Sequence, residues 1–208
     1  QGYSLFADIP GTDLKNEIVM IGAHLDAYNA GNGAADNMAG VVVCMEALRI
    51  LQKVEIKPRR TLRIAFWGGE EMGLLGSTEY VEKHFISEKN EKLYAYFNID
   101  NGGGAFRGIH AQESSTAREI FKTWINYINE PKFQTISPDY AEDTDNVPFS
   151  EAGLPGFQFI QDPLDYMLIF HSNMDIVERI PPEDTNYNAM IMALVAYLAS
   201  ESDIQIIK

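Results

Sequence analysis

Runs of strand length alternate with runs of helical periodicity along this chain, and that alternation restricts its fold more than any other feature. SLFADIP, EIVMIGAHL, TLRIAFWG, LYAYFNID and GFQFIQ are short, rich in Ile, Val, Phe and Tyr, and bounded by Gly, Pro or Asp, so they read as strands. Between them, AGVVVCMEALRILQKV, LLGSTEYVEKHF, STAREIFKTWINYIN and DTNYNAMIMALVAYLAS place apolar residues three or four apart and read as helices. Apolar strands separated by helices predict an α/β fold in which a largely parallel sheet carries helices on both faces. Functional sites in such sheets form beyond the carboxyl ends of the strands.

A length of 208 residues with 46% hydrophobic content closes one full core, so a single domain over residues 1–208 is expected. With 16 basic against 30 acidic residues the net charge is -14, which makes nucleic acid or an anionic membrane surface a poor partner. The longest apolar helical run, AMIMALVAYLAS, is too short to span a bilayer, so membrane insertion is not expected. Cys44 falls within VVVCMEAL and is predicted to be a buried helix residue; as the single cysteine it forms no internal disulfide.

Five side chains of metal-binding type are expected where predicted strands end, each after an apolar run that would lie buried in the sheet: His24 in IVMIGAHLDA, Asp36 in GNGAADNMAG, Glu71 in LRIAFWGGEEMG, Asp100 in LYAYFNIDNGGG and His171 in MLIFHSNMD. Imidazole and carboxylate together suit zinc or a similar divalent ion. Each has a plainer reading when taken alone. His24 and Asp26 can be loop polarity, Asp36 can cap the following helix, Asp100 can open a glycine turn, and His171 can be a turn histidine. Glu70 and Glu71 can be a solvated acidic pair, but the small and apolar neighbours WGG and MGLLG are not the setting of an exposed acidic run. In EDTD, Asp143 and Asp145 can grip a substrate ammonium or cap a helix.

Taken together and in order, HLDA, GAADNMAG, WGGEEMGLLGS, FNIDNG and HSNMD resemble the di-zinc exopeptidase family that includes the secreted bacterial leucyl aminopeptidases and the plasma glutamate carboxypeptidase type. The resemblance runs from Asn16 to Leu198. It implies a three-layer αβα fold on a mixed, mostly parallel sheet, and two zinc ions per chain. By the same resemblance His24 and Asp100 would hold one ion, Glu71 and His171 the other, and Asp36 would bridge both. Glu70 matches the general base, Asp26 and Asp175 match acids that orient the two histidines, and the Asp36–Asn37 peptide bond is expected to be cis. A shared carboxylate is what two neighbouring cations need to relieve their repulsion. The chain departs from the family pattern at Asn146, where relatives commonly carry His or other polar residues after the acid of the segment matching DTDNVPF, a position expected on the substrate-facing wall.

The activity implied is aminopeptidase cleavage of peptide substrates; separately, FQFI and MLIF lie close in sequence to the site and are expected to line a pocket for apolar first residues. A carboxypeptidase or dipeptidase of the plasma glutamate carboxypeptidase type is the alternative, with Arg107 available for a substrate carboxylate. A single-zinc glutaminyl cyclase and a catalytically inactive binding module are further alternatives, and the presence of all six metal and base positions weighs against the last. GYSLFADIPGTD resembles the segment that follows a protease-associated domain in longer relatives, which implies a catalytic fragment of a secreted or periplasmic parent.

Overall fold

The computed structural model describes residues 2–28, 30–89 and 91–206. Its seven strands are β1 (Leu5–Ile9), β2 (Leu14–His24), β3 (Arg60–Trp67), β4 (Lys92–Asn98), β5 (Phe106–His110), β6 (Thr135–Ser137) and β7 (Gly156–Gln161). The helices are α1 (Ala39–Lys53), α2 (Leu75–Val81), α3 (Ser115–Ile128), α4 (Val147–Glu151), α5 (Tyr166–Ile169) and α6 (Pro182–Glu201). The strands form one sheet in the order β1-β3-β2-β4-β7-β5-β6. Strand β1 runs antiparallel to β3 and β5 antiparallel to β7, while the remaining pairs are parallel. The mixed, mostly parallel sheet is therefore present.

Alternation along each strand builds two cores. Val19, Ile21 and Ala23 of β2, with Leu62 and Ile64 of β3 and Phe97 of β4, face α1, α3 and α6. Ile18, Met20, Ala65, Trp67 and Tyr96 point the other way and pack with Tyr80 and Val81 of α2 and Phe149 of α4. The near-continuous hydrophobic strands at the centre of the sheet thus find apolar partners on both faces. Helix α6 is apolar around most of its circumference because it packs against α1 and also against β2 and β3. Among the described residues no helix is long and apolar enough to cross a membrane. Cys44 is buried on α1, as expected.

All five predicted strands and all four predicted helices are present. Strands β5 and β6 were not expected, since FRGIH contains a glycine and an arginine and TIS has only three residues. Gly108 is there because β6 runs close beside it: a Cβ would lie 1.8 Å from the Thr135 carbonyl oxygen. Two of the five metal-type residues do not follow strands. Asp36 lies in an irregular turn, Ala34–Met38, and His171 comes just after α5.

The parallel register brings the strand ends together. His24 closes β2 and pairs with Trp67, the last residue of β3, from which Gly68 and Gly69 lead to Glu70 and Glu71. Asn98 closes β4 two residues before Asp100, and β7, parallel to β4, leads through α5 to His171.

Candidate metal centre

Asp36 stands between the two histidines. Its Oδ1 lies 3.1 Å from His24 Nε2 and its Oδ2 lies 3.3 Å from His171 Nε2. Asp100 Oδ1 is a further 3.1 Å from His24 Nε2, and Glu71 Oε2 is 2.8 Å from His171 Nε2. Glu70 Oε2 is 4.0 Å from His24 Nε2. The structure therefore gathers all six residues from segments far apart in sequence.

The turn that presents Asp36 is held from outside the cluster. Asp175 accepts hydrogen bonds from the backbone N–H groups of Ala35, at 2.6 Å, and of Asp36, at 3.1 Å. Gly33 enters the turn at φ +64°, where a Cβ would lie 2.3 Å from that of Ala27. The Asp36–Asn37 peptide bond is cis. Helix α1 starts after Met38 with no side-chain cap, which removes the capping role for Asp36. Asp26 receives the N–H groups of Glu70 and Glu71, at 3.1 and 3.2 Å, and so fixes the loop that carries both glutamates.

These contacts revise two roles expected from sequence. The backbone carbonyl of Asp26, not its carboxylate, is the close partner of His24 Nδ1, at 2.8 Å against 3.7 Å. Asp175 organises the backbone of the Asp36 turn, while His171 is steadied by ring stacking on Tyr28, with centroids 4.5 Å apart. Tyr28 left no signal in the sequence, because stacking between distant loops has no periodicity.

The arrangement suits a cation. A carbonyl oxygen can only accept, so His24 Nδ1 carries the hydrogen and Nε2 turns its lone pair toward the carboxylates of Asp36 and Asp100. Lone pair facing lone pair is repulsive unless a proton or a metal lies between. Burial alone would lower the pKa of His24, yet the carboxylate of Asp100 and its neighbours drive it far up. Burial, and after it the charge of Asp100, pushes Glu70 up to about 9. Burial and the charge of Asp36 raise Glu71. Asp26 goes the other way: burial would raise it, but the imidazole of His24 nearby and the hydrogen bond from the Glu70 N–H hold it below its ordinary value.

The donor set fits a metal. Glu71 Oε1 is buried with no hydrogen-bond partner among the described residues. A tetrahedral ion about 2.1 Å from its N and O donors sets those donors roughly 3.4 Å apart, close to the spacings around Asp36. A ligand that binds only the folded chain stabilises it by about 2.7 kcal/mol at 100-fold its Kd, which is about 5–10 °C for a domain of this size. Chelation is expected to lower the melting temperature by that much, measured by calorimetry against a zinc-loaded sample. An unchanged melting temperature contradicts metal binding at this cluster.

Asp36, Glu70, Glu71, Asp100, Asn101, Glu142, Asp143, Thr144, Tyr166 and His171 share a cavity of about 590 Å³ with the apolar Leu74, Met167 and Phe170. Asp143 lines it as expected, but Asp145 does not: it is fully buried and accepts a hydrogen bond from Ser77. Glu142, not expected from the sequence, lines it instead. MLIF contributes Met167 and Phe170, whereas Phe157 and Phe159 of FQFI belong to the core of the sheet. Arg107 is paired with Asp162 and does not line the cavity. Asn146 is buried and bonded to Thr144.

Comparison with known proteins gives the family. The family model described as peptidase family M28 matches residues 4–196. Carboxypeptidase Q of Mus musculus is 30% identical over 201 residues, covering 97% of this chain and 42% of that protein. A peptidase M28 precursor from Shewanella amazonensis SB2B superposes with a TM-score of 0.88 at 27% identity, covering 99% of this chain and 46% of the other. BSAP, a zinc aminopeptidase from Bacillus subtilis, superposes with a TM-score of 0.79 at 25% identity, covering 96% and 50%. The chain thus spans less than half the length of the curated relative it matches. Matched from β1 into α6, it belongs to peptidase family M28.

Proposed function

We propose that this chain is the catalytic part of a zinc-dependent exopeptidase that removes residues from the amino terminus of peptides. The observation that carries the reading is the carboxylate of Asp36, one oxygen turned to His24 and the other to His171. His24 and Asp100 would hold one zinc, Glu71 and His171 a second, and Asp36 both. Zinc in this cluster supplies Lewis acidity, which acidifies water and polarises a carbonyl. Glu70 lies beside the ligands and accepts the proton of the attacking water, then returns it to the leaving amine. Asp26 holds Glu70 in reach through its backbone N–H.

The end of the peptide that is cleaved follows from the cavity wall. Six carboxylates line it and no Lys or Arg does. With two dications bound, four of those charges would be neutralised, which would leave Glu142 and Asp143 as an acidic rim for a substrate ammonium. Peptides with a free amino terminus are expected to be cleaved, and N-acetylated ones to lose about 100-fold in kcat/KM, about 2.7 kcal/mol. A matched panel of free and acetylated peptides, followed by chromatography, checks this; equal hydrolysis contradicts the aminopeptidase reading.

The likeness to carboxypeptidase Q supports a second reading, cleavage from the carboxyl end. That reaction calls for a cation facing the substrate carboxylate, and Arg107 is engaged with Asp162. Release of carboxyl-terminal residues from N-acetylated peptides in the same panel would favour it.

A further inference from the structure

Asp145 has no part in the chemistry above, yet it is fully buried. Its Oδ1 accepts from the Ser77 hydroxyl at 2.5 Å, and its Oδ2 has no hydrogen-bond partner among the described residues. A buried carboxyl oxygen without a partner is rare in folded proteins and marks a group with a further contact to make. The surroundings say which. Ser77 lies on the first turn of α2, the helix that grows out of the Glu70 loop, and the Glu70 carbonyl accepts from the N–H groups of Gly73 and Leu74 in that same loop. Thr144 and Asp143, next to Asp145 in the chain, line the cavity together with Glu70. Burial pushes the carboxyl group of Asp145 up to about 7, and its charge is one of those acting on Glu70.

We propose that Asp145 is a positioning residue for Glu70: anchored by Ser77, it shares one hydrogen bond between its Oδ2 and the Glu70 carboxyl group and holds that base toward the cavity. This rests on the reading of Glu70 as the base. It differs from a purely structural role, in which the contact between Asp145 and Ser77 would only tie α2 to the segment before α4.

Two variants of the zinc-loaded chain separate the roles. Asp145→Leu fills the same space without a donor, and Asp145→Asn keeps an oxygen for Ser77 and an N–H for Glu70. Asp145→Leu is expected to retain zinc and KM while kcat falls about 100-fold, the cost of a misplaced catalytic group. Asp145→Asn is expected to recover most of that loss. Normal turnover in Asp145→Leu, a deficit that tracks lost zinc, or an Asn variant as poor as Leu would each overturn the proposal. A crystal structure of the zinc-loaded wild type decides the contact without activity. An Asp145 oxygen within about 2.6–3.2 Å of the Glu70 carboxylate is expected. Water or another side chain filling Oδ2 overturns it. Were the wild type to hydrolyse no peptide, the proposed function would fall, and this distance would still settle the contact.

Discussion

Glu70→Gln is expected to keep its zinc and lose turnover by at least about 100-fold, about 2.7 kcal/mol of barrier, as befits a lost general base. Glutamine preserves the size of the side chain and leaves His24, Asp36, Glu71, Asp100 and His171 untouched. Substrate binding is therefore expected to survive, so kcat falls with little change in KM. Elemental analysis alongside steady-state kinetics separates the outcomes. Near-normal turnover with zinc bound would show that the proton is handled elsewhere. A variant that instead loses metal would mean that Glu70 is a ligand and that its 4.0 Å distance from His24 reflects coordination.

The second large effect is expected at Asp36, for a different reason. Asp36→Asn removes the one charge shared by both halves of the cluster, and its 3.1 and 3.3 Å approaches to the histidines identify it as the shared group. Two cations without an anionic bridge repel each other. Activity is expected to fall by about 1,000-fold or more, about 4 kcal/mol, together with loss of zinc. The melting temperature of this variant should no longer respond to chelator. Glu71→Gln is the control, because Glu71 contacts His171 and not His24, so it should weaken one ion more than the other. An Asp36→Asn protein that holds as much zinc as the wild type would place the bridge on another residue.

Residues could be read from the sequence where burial imposes a period. EIVMIGAHL and TLRIAFWG have apolar side chains on both faces, and those faces are buried under helices on both sides of the sheet. His24, Glu71 and Asp100 could be read because each stands at or just beyond the end of such a strand, whereas Asp36 and His171 lie in a turn and after a short helix and were legible only through the ordered motifs. Loops carry no period, so the inward-facing members of EDTD could not be told apart. Asp145 turns into the core to meet Ser77, while Glu142 and Asp143 face the cavity. Asp143 adopts φ +59°, a turn that no pattern of apolar residues signals. The same limit hid the pairing of Arg107 with Asp162 and the grip of Asp175 on the Asp36 turn, both contacts between segments far apart in sequence. Strand β6 escaped notice because three residues are too few for alternation to show.

The central claim is that one carboxylate is shared by two metal-binding halves. It is tested most directly by zinc stoichiometry of the wild-type chain, dialysed against trace zinc and measured by elemental analysis. Two ions per chain are expected. A reproducible value of one, or none, contradicts the shared site.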